Sequence, residues 1–108
     1  METEQGKSSQ NASVMEEELK FLLCSRWGEL QEEVMILKCL EDKNYDKSGL
    51  INRIKQKIHF IGGVMEYNSK GIEELNVINQ LIEQGKVKKQ WLKIEKLMNK
   101  TDMKLKII

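Results

Sequence analysis

The chain has 108 residues, 32% of them charged, and contains no proline. This length predicts one domain. The 18 basic and 17 acidic residues nearly cancel, which excludes a uniformly charged polyelectrolyte. The 40% apolar content is too high for a fully disordered chain, and no apolar run is long enough to cross a membrane. No secretory leader opens the sequence, so we expect an intracellular protein, either cytoplasmic (cytoskeleton or centrosome) or nuclear.

The N-terminal third predicts a tail followed by a helix. Residues 1–12 are small and polar without periodicity, which is typical of a disordered tail. Ser13 and Glu16 have the spacing of a capping box, so the first helix is predicted over about residues 14–40. Apolar residues recur there in steps of three and four, as on a buried helix face. They are Met15, Leu19, Leu23, Trp27, Leu30, Val34 and Leu37.

Turn-forming residues between Glu41 and Gly49 end this helix, and Asp46 or Ser48 could cap the next one. The middle segment then keeps helical steps through several glycines, and we expect one long helix over about residues 49–84. The alternative is two helices that separate near residues 68–71. The seam consists of Ile51, Ile54, Ile58, Ile61, Met65, Asn68, Ile72, Leu75, Asn79 and Ile82.

Two asparagines lie on this middle seam. A buried asparagine in a coiled coil sets the register and the number of partners at a cost in stability. The alternative is that the seam is exposed or frayed at Asn68 and Asn79. The residue pattern alone does not choose between these two interpretations.

Gly85 has the position of a helix C-cap glycine, and a third helix is predicted over about residues 86–106. Its seam consists of Val87, Trp91, Ile94, Met98, Thr101, Leu105 and Ile108. Three such helices fold most simply as an all-α antiparallel three-helix bundle, or coiled coil, with a long middle helix. The bundle would span residues 13–108.

Charge differs along the chain. Residues 1–47 carry eleven acidic and six basic side chains, whereas residues 48–108 carry six acidic and twelve basic ones. Eight lysines lie in residues 86–108 alone. Because the first and third helices of such a bundle are neighbours, we expect the acidic helix to lie beside the basic one and to fix the register.

No set of residues for catalysis is visible. His59 is the single histidine and has no nucleophile or carboxylate near it in sequence, so we expect a structural or surface role. Cys24 and Cys39 lack the spacing of a zinc site, and we expect reduced, inert, partly buried thiols. We therefore expect no enzyme activity, no cofactor and no metal.

The middle segment resembles part of a spectrin-type repeat over about 35 residues. The resemblance lies in the phrase at residues 54–59, the phrase at 72–76, and the phrase at 80–86 that ends a helix at a glycine. Trp27 would match the tryptophan of the first helix, and Trp91 is a candidate for that of the third, although it follows Gly85 sooner than in the family. The resemblance implies a three-helix spacer or docking module on the cytoskeleton.

The main functional hypothesis is a non-catalytic protein–protein interaction or scaffolding module of a cytoskeletal, centrosomal or chromosomal assembly. A helical partner protein or a homodimer would complete such a thin core. Trp27 and Trp91 are candidate partner contacts, because tryptophan is enriched at binding hot spots. Core packing is the alternative role for both.

The second hypothesis is a regulatory binder that uses the basic helix at residues 86–108 to engage calmodulin or an anionic membrane surface. Trp91, Met98 and Leu105 have seven-residue spacing there, with Lys88 and Lys89 beside them as charged contacts. We expect no nucleic-acid binding, because the segment lacks arginine and has almost no interleaved aromatics. Integral membrane insertion is not expected.

Overall fold

A computed structural model of the chain describes residues 2–108, with side chains from Glu16 onward. All regular secondary structure in that part of the chain is helical. The predicted tail over residues 1–12 and the capping box at Ser13 lie outside the residues with described side chains. The four helices are α1 (Glu2–Leu40), α2 (Ser48–Tyr67), α3 (Glu73–Glu83) and α4 (Trp91–Leu105).

Ion pairs between helices show that α1 and α2 run in opposite directions. Glu33 of α1 accepts a hydrogen bond from Arg53 in the first half of α2, at 3.2 Å. Lys57, one turn further along α2, reaches back to Glu29 of α1 at 3.6 Å. Lys57 also lies 2.7 Å from Glu33, so these two helices are joined by a small charge network.

Ion pairs also show the directions of α3 and α4. Lys55 near the start of α2 pairs with Glu83 at the end of α3, at 3.0 Å. Lys104 near the end of α4 pairs with Glu73 and Glu74 at the start of α3. Each helix is therefore antiparallel to the one before it, and the fold is a four-helix bundle with an up-down-up-down course.

Most buried core residues are seam residues that the helical spacing predicts, but Leu50, Ile78 and Leu81 are buried although they lie off the predicted seam. All five seam positions of α1 from Leu23 to Leu37 are buried, whereas Leu19 stays 40% exposed. All four helices and the turn before α4 contribute side chains to one core cluster. Its buried members are Leu23, Trp27, Leu30, Val34, Leu37, Leu50, Ile54, Ile61, Met65, Leu75, Ile78, Leu81, Ile82, Val87, Ile94 and Met98.

The prediction of one continuous middle helix over residues 49–84 is wrong, because α2 ends at Tyr67 and α3 begins at Glu73. Ser69 adopts a left-handed conformation with φ of 59°, which a continuing helix forbids. The N–H of Lys70 then bonds the carbonyl of Met65 at 2.8 Å, completing a Schellman helix end. The bundle accordingly has four helices instead of three.

Gly85 ends α3 in the same way, and the prediction of a C-cap glycine there is confirmed. Its φ is 65°, and the N–H of Lys86 bonds the carbonyl of Leu81 at 2.9 Å. The third predicted helix starts five residues later than expected, at Trp91. Residues 87–90 form a separate turn before it.

Three local expectations are settled by burial and hydrogen bonding. Neither Asp46 nor Ser48 is the N-cap of α2, which is Lys47; the carboxylate of Asp46 accepts the N–H of Ser48, the first residue of the helix, at 3.0 Å. Asn68 is exposed, and Asn79 is only partly buried and donates to Glu83, so neither is a buried register-setting asparagine. The expectation of partly buried cysteines is wrong, because Cys24 and Cys39 are both exposed on α1.

Candidate functional site

Trp27 lies in the core and not at a binding surface. It is 5% exposed, and its ring packs within the shared cluster of the four helices. Its Nε1–H donates to Oδ1 of Asp102 on α4, at 3.1 Å. The buried ring thus keeps a partner for its single polar group and fixes α1 against α4.

The other apolar candidates lie on the inner side of α4. Trp91 is partly buried, and Nζ of Lys38 from α1 lies 4.4 Å from the centre of its ring. Met98 is 9% exposed, and Leu105 packs half-buried against the core. The seven-residue spacing of these three side chains therefore marks the inner face of the helix.

The two candidate lysines differ in their surroundings. Lys88 forms an ion pair with Asp42 at 2.6 Å, which raises the pKa of the ammonium group and lowers the pKa of the carboxyl. Lys89 is exposed. The ion pair of Lys88 joins the end of α1 to the turn before α4.

Glu41 clamps that turn, a role that the sequence pattern does not suggest. Its two carboxylate oxygens accept the backbone N–H groups of Val87 and Lys88, each at 2.9 Å. An anion at such a set of free amides is favoured by the local backbone dipoles. Sequence analysis placed Glu41 only in a break between helices, because the pairing spans 46 residues of chain.

The expected pairing of the acidic first segment with the basic last segment is found between Asp42 and Lys88 but not along α1 and α4 themselves. The acidic side chains Glu29 and Glu33 of α1 pair with α2, through Arg53 and Lys57. The charged group that α4 turns toward α1 is the carboxylate of Asp102. Most lysines of α4 are therefore left on its outer side.

An apolar groove lies between α1 and α2. Leu19 of α1, which is 40% exposed, faces Phe60, Val64 and Tyr67 of α2 across it. Phe60 and Val64 are half-buried, and Tyr67 is 88% exposed. We name these four side chains the α1–α2 groove. Phe60, Val64 and Tyr67 were not predicted as site residues because they lie beside the predicted seam. An aromatic or branched side chain at a position off the seam was the sequence feature that could have identified them.

The described residues offer little for catalysis or metal binding. His59 is exposed, and the groove between α2 and α3 that it lines is bordered by Lys55, Glu66 and two asparagines. Among residues with described positions, no group of three His, Cys, Asp or Glu side chains could hold a metal ion. No described helix is long and apolar enough to span a bilayer.

Comparisons of the chain with protein-family models, with curated proteins and with solved structures find no match.

Proposed function

We propose that the chain is a non-catalytic protein–protein interaction module whose α1–α2 groove receives an apolar helix of a partner protein. The observation that carries this proposal is the concentration of four large apolar side chains along one groove, with Tyr67 88% exposed. Contiguous apolar surface of this kind on a small protein is typical of interaction sites. A partner would bury it.

The shape and charge of the groove favour a helical partner. It runs between two antiparallel helices, so an amphipathic helix fits lengthwise as in helix-in-groove recognition. Glu16 and Lys20 border one end, and His59 lies along the α2 side. Flanking charges of both signs support a partner helix with a mixed polar rim and an apolar stripe.

The wider role that we propose is that of a scaffolding subunit in a cytoskeletal, centrosomal or chromosomal assembly. The resemblance to a spectrin-type repeat supports this proposed role, because such repeats act as spacers or docking modules on the cytoskeleton. It lies in residues 54–59, 72–76 and 80–86. A second copy of the chain is the simplest alternative occupant of the groove.

The calmodulin-type hypothesis is less well supported. Its contact residues Trp91, Met98 and Leu105 line the inner side of α4 in the folded chain. A partner that binds them must first detach α4 from the core. The α1–α2 groove needs no such rearrangement.

A matched pair of tyrosine variants tests the groove. Tyr67→Ser removes an exposed ring from the groove, whereas Tyr45→Ser removes a 64% exposed ring from the α1–α2 connection. Proteins crosslinked to the native chain in cells are identified, purified and titrated against all three proteins by calorimetry. We expect Tyr67→Ser to weaken binding of the true partner about 30-fold or more, as hot-spot residues do, and Tyr45→Ser to leave it unchanged.

The molecular mass, measured by light scattering over a concentration series, tests whether a second copy of the chain occupies the groove. A dimer that Tyr67→Ser disrupts and Tyr45→Ser preserves would identify a second copy as the occupant. Equal binding by the native chain and both variants would overturn the groove as the interaction site.

A further inference from the structure

The outer side of α4 combines exposed lysines with exposed apolar side chains. Leu92, Met103 and Ile107 are 75%, 67% and 70% exposed, which places them among the most exposed large apolar residues of the described chain. Their spacing of eleven and four residues puts them on one side of the helix and its short continuation. This side is opposite the buried positions Ile94 and Met98.

Three exposed lysines occupy the same side. Lys93, Lys96 and Lys100 step by three and four residues, so they form a row beside the apolar side chains. The ion pairs of α4 among the described residues involve Lys104 and Lys106, and none involves this row. We name the set of Leu92, Met103, Ile107 and these three lysines the outer face of α4.

The acidic groups near α4 do not neutralise this row. Glu73 and Glu74 pair with Lys104, and Asp102 pairs with Lys106 and accepts from Trp27. Glu95 is exposed, and by helical spacing it lies at the margin of the outer face, about 60° around the helix from Leu92. The face therefore carries a local excess of positive charge.

From this arrangement we propose that the outer face of α4 docks the folded bundle on an anionic lipid bilayer. Its lysine ammonium groups meet lipid phosphates and carboxylates, while Leu92, Met103 and Ile107 enter the headgroup boundary, as in interfacial amphipathic helices. The helix keeps its inner face in the core. This activity uses a different surface from the α1–α2 groove and does not depend on it.

The composition of the face favours a lipid surface over a protein. Lysine is depleted from protein–protein interfaces because ordering its long side chain is costly, whereas at a membrane its flexible stem lies along apolar groups and its charge stays in water. The outer face of α4 contains neither arginine nor an aromatic residue, which are the residue types that most often anchor a protein–protein interface.

Vesicle co-sedimentation of the full chain tests the proposal. The probes are vesicles of phosphatidylcholine with one-quarter phosphatidylserine, and vesicles of phosphatidylcholine alone. We expect binding to the first that exceeds binding to the second at least tenfold and weakens as salt is added. Equal binding to both, or binding to neither, would overturn the proposal; the latter would leave an acidic protein as the occupant of this face.

Two charge variants locate the binding surface. The triple variant Lys93→Gln, Lys96→Gln, Lys100→Gln should bind about a hundredfold more weakly, because each lysine near an anionic surface contributes roughly fivefold. The control changes three other lysines that lie outside α4 and outside the described ion pairs, and it lowers the net charge by the same amount. It consists of Lys20→Gln, Lys43→Gln and Lys70→Gln, and it should stay within about threefold of the native chain.

Equal weakening by both charge variants would mean that overall charge, not the outer face of α4, controls binding, and this would overturn the proposal. Circular dichroism on both variants checks that the bundle stays folded.

An apolar triple variant and lipid quenching complete the test. Leu92→Gln, Met103→Gln and Ile107→Gln together should lower binding at least tenfold, whereas glutamine at the exposed positions Phe21, Met35 and Ile36 of α1 should not. Lipids brominated on their chains should quench tryptophan fluorescence only weakly. Strong quenching would place the inner face, with Trp91, in the membrane and would overturn docking by the outer face.

Discussion

Both faces of α4 carry large apolar side chains, but the two faces lie in opposite environments. The inner face carries Ile94 at 0% exposure, whereas the outer face carries Leu92 at 75%. Regular seven-residue spacing marked the inner face in the sequence, and the structure uses that face for the core. In a small bundle, the strongest apolar periodicity identifies the fold, and the side chains left off that pattern identify the surfaces available to partners.

The two faces should differ most in how much the free energy of unfolding falls when one of their side chains is truncated to alanine. Ile94→Ala is expected to lower the free energy of unfolding by about 2–5 kcal/mol, because it leaves a cavity in the core. Leu92→Ala should change it by less than about 0.5 kcal/mol. Urea unfolding followed by circular dichroism measures both, and equal effects would contradict the inner-and-outer assignment of α4.

The contact between Trp27 and Asp102 holds the inner face of α4 against α1. Trp27→Phe should cost about 2 kcal/mol, through a lost hydrogen bond to a carboxylate and lost ring contacts. The matched variant Trp91→Phe should cost less than about 1 kcal/mol, since its ring is only partly buried under Lys38. Thermal unfolding of both proteins provides the measurement; a larger loss for Trp91→Phe would reverse the roles of the two tryptophans.

The Glu41 clamp should contribute an intermediate amount to the placement of α4. Glu41→Gln keeps one acceptor oxygen for the two amides of Val87 and Lys88, and we expect a loss of about 1–2 kcal/mol. Glu32→Gln is the control, because Glu32 is exposed on α1, the helix that ends just before Glu41, and belongs to none of the described ion pairs. If both variants unfold at the same urea concentration, the clamp does not hold the turn.

The inner face of α4 also depends on α3 as a separate helix that turns back to pack against it. Ser69→Gly should stabilise the chain by about 0.5–1 kcal/mol, because glycine adopts the left-handed conformation without penalty. In a continuous helix the same substitution would destabilise by a similar amount, as expected for Ser25→Gly within α1. The sign of the change in urea midpoint therefore distinguishes two helices from one.

The smallest expected effect is that of pH on the ion pairs that flank α4. Hydrogen bonds lower the pKa of Asp42 and Glu73, so their stabilising contribution is present at neutral pH and is lost as pH falls through these lowered values, below about 4. Carboxylate partners raise the pKa of Lys88 and Lys104, so their contribution is lost only as pH rises above about 10.5.

Because these pairs are exposed, both changes in stability should be modest. Urea midpoints across the pH range should form a plateau with falling ends, and Asp42→Asn should reduce the fall on the acid side. A stability change centred between pH 6 and 9 would point to a group outside these pairs.

Helical spacing was enough to predict the helical class and the core positions of α1 and α4. It located a possible break at residues 68–71 but favoured a continuous helix over the break that lies there between α2 and α3. Gly85 predicted a helix end because glycine is the residue that most often adopts the left-handed conformation there. Ser69 ends α2 in the same conformation, but serine is not typical of that position and so does not predict a helix end. The apolar register also continues across Ser69, which made a continuous helix the simpler expectation.

The candidate surfaces were harder to predict, because they depend on which neighbours each helix acquires. The lysines of α4 were expected to face α1, but α2 supplies the partners of Glu29 and Glu33 instead. The groove at Phe60 and Tyr67 likewise exists only because α1 lies across from α2. Such pairings between distant segments have no local sequence signal.

Hydrogen exchange of the intact chain tests most directly whether α4 is a core helix with a usable outer face. We predict that the hydrogen-bonded amides of residues 94–105 exchange as slowly as those of the buried turns of α1 and α2, since all should open only on global unfolding. Fast exchange in α4, with α1 and α2 still protected, would contradict this account. It would show that α4 detaches on its own and exposes Trp91, Met98 and Leu105 to partners.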